Sequence, residues 1–185
     1  NKKYSICMTG GKFGQSFINF FNARKLIILN KNFYLTDERL VSSIEEKNCF
    51  LIWEKMKNYE KENFFHNFDY NKSIIDIDTK EKVSKISHHD LCFLSLGEDG
   101  HLAGHFKNSL NLNDKICFTE KASKKPFKRI SFRVDWLLKS KKIIMVALGL
   151  EKQKALTEIL NGEGFHSEIF KTCSSELVII TDLKI

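Results

Sequence analysis

Arginine and proline are scarce in this sequence, and their scarcity limits what its positive charge implies. The 185 residues contain one proline, and only four of the 30 basic residues behind the net charge of +7 are arginine: Arg24, Arg39, Arg129 and Arg133. Lysine spread along a chain is typical of a solvated surface. Residues 121–133 are densely basic and have the charge to bind a nucleic-acid backbone. A small anion would satisfy the same charges, so we expect no nucleic-acid partner.

Paired cysteines and long apolar runs are also missing. No apolar stretch approaches the roughly 18 residues that a membrane-spanning helix needs, and the first apolar run, residues 4–8, is too short for a signal peptide. We therefore expect no membrane partner. The five cysteines are scattered and lack a C-x-x-C pair, which argues against a disulfide framework or a zinc site. Reduced core thiols in a cytoplasmic protein are the simplest expectation.

Apolar strand patterns alternate with helical patterns along the chain. Strands are predicted at residues 4–8, 33–35, 91–96, 143–148 and 177–180, and helices at 13–21 and 152–160. Residues 44–71 are charged and aromatic and are predicted to be helical only in parts. Repeated strand-loop-helix units predict an α/β fold, a three-layer Rossmann-like sandwich with a mainly parallel sheet. The absence of an internal repeat or a linker favours one domain over residues 1–185.

Polar clusters directly follow four of the predicted strands. They occupy residues 9–12, 37–39, 97–101 and 149–152. Because parallel strands meet with their carboxyl ends at one edge of a sheet, and ligands bind beyond that edge, we expect these clusters to converge on one site.

The first cluster has the composition of an anion-binding turn. Gly10 and Gly11 stand between a strand and a helix, where backbone amides can receive a phosphate. Thr9 adds a hydroxyl group and Lys12 a charge. The spacing matches neither a Walker loop nor a dinucleotide fingerprint. A tight turn that binds nothing is the alternative.

Arg39 ends the second cluster. Its guanidinium group can bind a phosphate or a sugar acid through two parallel hydrogen bonds. An ion pair at the surface with Asp37 or Glu38 explains the same residue without a ligand, so both interpretations stay open.

The third cluster has the residues for proton transfer. Gly97 and Gly100 flank an acidic pair and allow close approach of a ligand. His101 follows two residues after Asp99, and histidine titrates near physiological pH.

His105 follows four residues after His101, so a helical His-x-x-x-His pair is one possibility. A zincin-type site needs a glutamate where Leu102 stands, so we expect no metal. His88 and His89 precede a strand and are expected to be exposed loop residues.

Five segments carry a family resemblance in the right order. Residues 90–106 resemble the F-D-L-x-L-L-G-M-G-x-D-G-H-T-A-S-L-F-P signature of 6-phosphogluconolactonases, whose superfamily includes the glucosamine-6-phosphate isomerases/deaminases. Residues 8–11 resemble the L-S-G-G phosphate loop, and residues 36–41 resemble D-E-R-x-V-P. Residues 125–131 and 149–152 resemble the P-x-R-I-T and G-x-x-K segments.

The resemblance implies an activity and a set of roles. The activity is hydrolysis of 6-phospho-D-glucono-1,5-lactone to 6-phosphogluconate, in the oxidative pentose phosphate pathway, with no metal and no organic cofactor. His101 would deprotonate the attacking water, and Asp99 would orient His101 or the substrate. The implied residues for binding the substrate and its phosphate are Thr9, Gly10, Gly11, Lys12, Asp37, Arg39, Gly97, Gly100, Arg129 and Lys152.

Departures from the family pattern keep alternatives open. Ser95 replaces a family glycine, Ser42 replaces a proline, and the helix that normally precedes the first strand is missing. The chain is then a pared-down enzyme or a fragment of a longer one, and a parent fusion to glucose-6-phosphate dehydrogenase, or an association with it, is conceivable. The deaminase branch usually has tyrosine where Arg39 stands. A sugar-phosphate sensor would not need His101, and a basic interaction module is the remaining alternative.

Overall fold

The computed structural model describes residues 3–24, 31–56, 61, 64, 68 and 77–184. The strands are β1 (Tyr4–Met8), β2 (Lys31–Leu35), β3 (Asp37–Arg39), β4 (Leu91–Ser95), β5 (Leu110–Asn111), β6 (Ile116–Thr119), β7 (Arg129–Phe132), β8 (Lys142–Ala147) and β9 (Glu176–Thr181). The helices are α1 (Gly11–Ala23), α2 (Asn48–Trp53), α3 (Ile77–Ser84), α4 (Val134–Leu137), α5 (Gln153–Leu160) and α6 (Ser167–Lys171), with short 3₁₀ turns at Ile44–Glu46 and Leu150–Lys152.

A five-stranded parallel sheet forms the centre of the fold, as the sequence predicts. Its strand order is β2-β1-β4-β8-β9. Each of the five predicted apolar runs overlaps one of these strands, and the runs 91–96 and 143–148 extend one residue beyond β4 and β8. Strand β1 pairs with β2 on one side and with β4 on the other, so the chain changes direction across the sheet at β1. In open α/β sheets a crevice forms at this position, beyond the carboxyl ends of the strands.

Apolar residues cover both faces of the parallel sheet. On one face, Phe17 of α1 packs on Phe93 of β4, with ring centroids 4.8 Å apart. On the other face, residues of α5 such as Leu156 join a core with Met145 of β8. Alternate residues of β4 and β8 therefore serve opposite layers. The α/β class and the parallel main sheet predicted from the sequence are confirmed.

A second sheet was not predicted from the sequence. It is antiparallel, with the order β3-β7-β6-β5. Its strands are only two to four residues long, too short for a periodic pattern to stand out. The second sheet lies beside the carboxyl end of β2, because only Thr36 separates the end of β2 from the start of β3.

The expectation for His89 is wrong. His88 is exposed, as expected, but His89 is fully buried. The His89 ring packs against Tyr34, Phe132 and Trp136, and its Nδ1 lies 2.6 Å from the Ser5 hydroxyl oxygen. Aromatic neighbours from distant segments turn this apparent loop residue into a core residue.

The predicted partly helical segment 44–71 is described only in places. It contains the Ile44–Glu46 turn and α2, while most of residues 57–71 lie outside the described residues. All five cysteines are free, and four of them are buried in the core. In the described part of the chain, no helix is long and apolar enough to cross a membrane.

Candidate active site

A cleft of about 500 Å³ opens at the carboxyl edge of the parallel sheet. Eleven of the twelve residues predicted for the site line it: Thr9, Gly10, Gly11, Lys12, Asp37, Arg39, Gly97, Asp99, His101, Arg129 and Lys152. The other predicted residue, Gly100, is in the same loop as His101 and has a φ of +82°. Its amide donates to the Gly97 carbonyl oxygen over 3.1 Å. Gly100 therefore shapes the loop and does not line the cleft.

The turn between β1 and α1 presents backbone amides to the cleft. Helix α1 begins at Gly11, whose φ is +61°, and no side chain caps its N-terminus. The first amides of a helix have no partner inside the helix, and the helix dipole adds positive potential there. Position 10 also requires glycine, because a Cβ atom there would overlap the side chain of Asn48.

Asn48 ties this turn to Asp37, although Asn48 was not among the predicted site residues. Its Nδ2 donates to Asp37 Oδ2 over 3.2 Å, while the Thr36 hydroxyl group donates to Asp37 Oδ1 over 3.0 Å. Both oxygens of the Asp37 carboxylate are therefore held in place. The Asn48 Oδ1 atom is buried and has no hydrogen-bond partner within the described ranges. Asn48 comes shortly after residues 36–41, the segment that resembles D-E-R-x-V-P, but its contacts with Asp37 depend on how the chain folds.

Glu38 is structural and does not line the cleft. Its carboxylate accepts hydrogen bonds from the amides of Asn48 (2.7 Å) and Cys49 (2.9 Å), the first two residues of α2. Burial raises the pKa of Glu38 above its ordinary value, and these hydrogen bonds oppose the rise. The carboxylate thus fixes the helix that carries Asn48.

Two arginines face each other across the second sheet. Arg39 of β3 is directly opposite Arg129 of β7 in the antiparallel register. Arg39 donates to the Glu46 carbonyl oxygen over 2.9 Å, and Arg129 donates to the carbonyl oxygens of Pro126 and Lys128. Neither Asp37 nor Glu38 forms an ion pair with Arg39 among the described contacts. Burial lowers the pKa of Arg129, the charge of Asp37 opposes this shift, and the charge of Arg39 adds to it.

Like charges directly opposite each other destabilise a sheet. Arg39 and Arg129 both line the cleft, so an anion bound between them would remove this repulsion. Arg39 thus lines the cleft and forms no surface ion pair with Asp37 or Glu38 among the described contacts, and its ligand-binding role stays a prediction.

The loop after β4 holds His101 against three neighbours. A Cβ atom at Gly97 would overlap the imidazole ring, so only glycine allows the ring to lie there. The ring stacks on Phe106 at a centroid distance of 4.2 Å, and His101 Nδ1 is hydrogen-bonded to Asp99 Oδ1. That hydrogen bond keeps the pKa of Asp99 well below its usual value. Because ionised Asp99 can only accept, Nδ1 carries the proton and Nε2 is left as a proton acceptor.

The loop between β6 and β7 adds residues that the sequence did not identify as part of the site. Ser123, Lys124 and Lys125 line the cleft. The Ser123 side chain also lowers the pKa of Asp99, and Lys124 Nζ lies 2.6 Å from Glu98 Oε1. The basic segment 121–133 includes both lysines and was the sequence signal for them. The sequence did not indicate that they face the cleft.

His105 does not form a helical pair with His101. The segment between them is irregular, and His105 Nδ1 accepts a hydrogen bond from the amide of Val134 over 3.2 Å. Burial lowers the pKa of His105 to about 4. In the part of the chain that the structure describes, no group of three or more His, Cys, Asp or Glu side chains could hold a metal ion.

The fold and the cleft define an α/β protein with a cationic cleft wall beside an imidazole that can accept a proton. Residues 1–169 match the model of the family described as glucosamine-6-phosphate isomerases/6-phosphogluconolactonase. The chain belongs to this family.

Relatives from both branches of the family are similar to the chain. A 6-phosphogluconolactonase of Borreliella burgdorferi is 27% identical over 202 residues, which span 100% of this chain and 86% of that protein. A glucosamine-6-phosphate deaminase of Clostridium botulinum is 31% identical over 105 residues, but these span only 48% of this chain and 43% of that protein. The similarity to the lactonase is therefore the more extensive.

Solved structures support the fold. The 6-phosphogluconolactonase of Thermotoga maritima superposes with a TM-score of 0.76 at 20% identity, covering 98% of this chain and 87% of that one. The enzyme from Trypanosoma cruzi gives a TM-score of 0.79 at 19% identity, covering 98% and 82%.

Proposed function

We propose that the chain hydrolyses 6-phospho-D-glucono-1,5-lactone to 6-phosphogluconate, as a 6-phosphogluconolactonase. The main support is the His101–Asp99 pair at one end of a cleft whose other residues include Arg39 and Arg129. A base beside an anion-binding wall suits the hydrolysis of a phosphorylated neutral ester. The full-length similarity to the Borreliella burgdorferi lactonase supports the same activity.

The substrate phosphate binds at the N-terminus of α1 in this proposal. The amides of Gly10 and Gly11 and the hydroxyl group of Thr9 would donate to its oxygens, and Lys12 would add charge. Lys152, which lines the same cleft, would supply a second cation. A dianionic phosphate also suits the uncapped helix end, because negative charge is stabilised there.

The sugar lies between the phosphate and His101, along the two arginines. Arg39 and Arg129 would donate hydrogen bonds to the sugar oxygen atoms and stabilise the negative charge that develops on the carbonyl oxygen. The fixed carboxylate of Asp37 would accept from a sugar hydroxyl group. Strands β1 and β4, which carry the phosphate turn and the His101 loop, are neighbours in the sheet, so one small substrate can reach both.

Proton transfer is the task of His101. Its Nε2 takes a proton from water as the water oxygen bonds to the lactone carbonyl carbon. The tetrahedral intermediate then breaks the bond between that carbon and the ring oxygen, and the imidazolium returns the proton to this oxygen. The new carboxylic acid ionises and releases a proton to solvent. Asp99 keeps Nδ1 protonated and stabilises the imidazolium in between.

Deamination of glucosamine 6-phosphate is the second candidate, because half of the chain is similar to deaminases. The arginine at position 39 favours the lactonase. The test measures lactone hydrolysis by the purified chain above the spontaneous rate, and ammonia release from glucosamine 6-phosphate on the same sample. We expect hydrolysis without deamination. Comparable ammonia release would overturn the assignment, and sugar-phosphate binding without turnover would indicate a sensor.

Further features of the proposal come from the family and the composition. We propose a cytoplasmic location, a single domain over residues 1–185, and no metal or organic cofactor. Fusion to or association with glucose-6-phosphate dehydrogenase stays a prediction. Co-purification of that enzyme with the full-length protein would test the association.

A further inference from the structure

Acidic side chains are the minority in the cleft wall, and most of them are already engaged. The cations that line the cleft are Lys12, Arg39, Lys124, Lys125, Arg129 and Lys152, and the acids are Asp37, Glu98 and Asp99. Asn48 and Thr36 hold Asp37, and His101 holds Asp99. Glu98 differs from the other two acids because its partner is one of the cleft cations.

Glu98 pairs with Lys124 in the wall of the cleft. Glu98 Oε1 lies 2.6 Å from Lys124 Nζ, and the side chains are 40% and 71% exposed. The pair joins the His101 loop to the loop between β6 and β7. An ion pair this exposed is weak and opens easily, so an arriving anion can compete for Lys124.

Glu98 also interacts electrostatically with charged residues other than Lys124. Lys124 and Lys152 both lower the pKa of Glu98, while the nearby charge of Asp99 opposes them. Glu98 is also directly adjacent in sequence to Asp99, the partner of His101. It therefore lies beside the part of the cleft where the proposed hydrolysis generates a new carboxylate.

We propose that Glu98 is an internal counter-ion that competes with the bound ligand for Lys124 and speeds release of the product. The inference rests on the proposed function. The lactone carries about two negative charges on its phosphate, and the product carries one more on the new carboxylate. A fixed carboxylate repels the product more than the substrate. Glu98 thereby favours exchange of product for substrate.

The Glu98→Gln variant tests the inference, because it removes the charge and keeps the shape. We expect the inhibition constant of 6-phosphogluconate to fall about two- to fivefold, a size typical of one exposed charge pair. The Michaelis constant for the lactone should fall less. Added salt of about 0.5 M should shrink the difference between variant and parent, since exposed charges are screened.

A matched control is available on the loop between β6 and β7, which also carries Lys124. Glu120 pairs with Lys128 over 3.0 Å, with side chains 57% and 56% exposed, and neither residue lines the cleft. Glu120→Gln removes a carboxylate from another exposed ion pair and should leave both constants unchanged. In a Lys124→Gln background, Glu98→Gln should improve product binding less than it does alone, because the cation released by the substitution is gone.

Direct binding separates this inference from the proposed function. Calorimetric titration of 6-phosphogluconate into the parent and the variants needs no turnover. An unchanged or weaker product affinity in Glu98→Gln overturns the role of Glu98, and so does an equal gain for substrate and product. A parent without lactonase activity would overturn the proposed function instead, while the titration would still test competition for Lys124.

Discussion

The imidazole ring of His101 lies against the phenyl ring of Phe106, with centroids 4.2 Å apart and planes inclined by 24°. Phe106 is itself buried. The stack sets the plane of the imidazole, and the hydrogen bond to Asp99 sets its rotation. Because the loop that carries His101 is irregular, these two contacts are what hold the imidazole in one orientation.

Replacing His101 by asparagine should remove the base and keep polarity and approximate size. General-base assistance is typically worth about 10²–10⁴ in rate, so turnover should fall by about that factor while substrate binding changes less. Single-turnover hydrolysis, corrected for the spontaneous reaction, measures the effect.

A purely structural role for His101 predicts a different result. The His101→Asn protein would then melt at a lower temperature, and its folded fraction would turn over at nearly the normal rate. Melting and single-turnover measurements on one sample separate the two roles, and near-normal turnover would refute the mechanism.

Replacing Gly97 by alanine should displace the imidazole, because the added methyl group would overlap the ring. A displacement of about 1 Å at a reacting group can cost about 100-fold in rate. We expect kcat to fall by this order, with product affinity little changed. Gly164→Ala, in a turn that does not line the cleft, is the control and should leave kcat unchanged. A Gly97→Ala enzyme with parental kcat would show that the ring position is not critical.

Replacing Gly11 by valine should weaken phosphate binding through the backbone. The space around Gly11 is open, but its φ of +61° is strained for a β-branched residue. The turn should therefore change shape and move its amides, which raises the Michaelis constant by about tenfold, equivalent to about 1.4 kcal/mol. Gly164→Val shares the positive φ outside the cleft and controls for strain alone. Unchanged binding of 6-phosphogluconate by Gly11→Val would place the phosphate elsewhere.

Stability should fall as the pH drops below about 6.5. Burial lowers the pKa of His89 to about 3 and that of His166 to about 4, so the folded state keeps these rings neutral. The unfolded chain binds more protons below the ordinary histidine pKa of about 6.5, and stability is lost progressively toward pH 4. Each such histidine contributes a slope of up to about 1.4 kcal/mol per pH unit.

The His89→Phe variant keeps an aromatic ring at this position and removes one titration. Its free energy of unfolding should depend less steeply on pH between about 6 and 4. Partial burial, Lys139 and Lys115 also lower the pKa of the exposed His88, so its substitution serves as the comparison and should change the slope less than His89→Phe does. An unaltered slope in His89→Phe would mean that His89 does not contribute to the acid sensitivity.

The sequence by itself determined the parallel sheet and the edge at which the site forms. The apolar runs at residues 91–96 and 143–148, which lie mostly in β4 and β8, are local signals, because strands buried on both faces are nearly apolar throughout. The polar residues that follow these strands were predicted to converge, since parallel strands end at one edge. Eleven of the predicted residues do line one cleft.

Only the tertiary structure decided which distant residues meet. Arg39 is opposite Arg129 because two short strands pair in one register, and short strands have no periodic pattern to reveal it. Asn48 reaches Asp37 only because Glu38 caps α2. The burial of His89 likewise depends on aromatic rings from separate segments. Local sequence specifies which elements form, but contacts between polar groups far apart in sequence depend on how the chain packs.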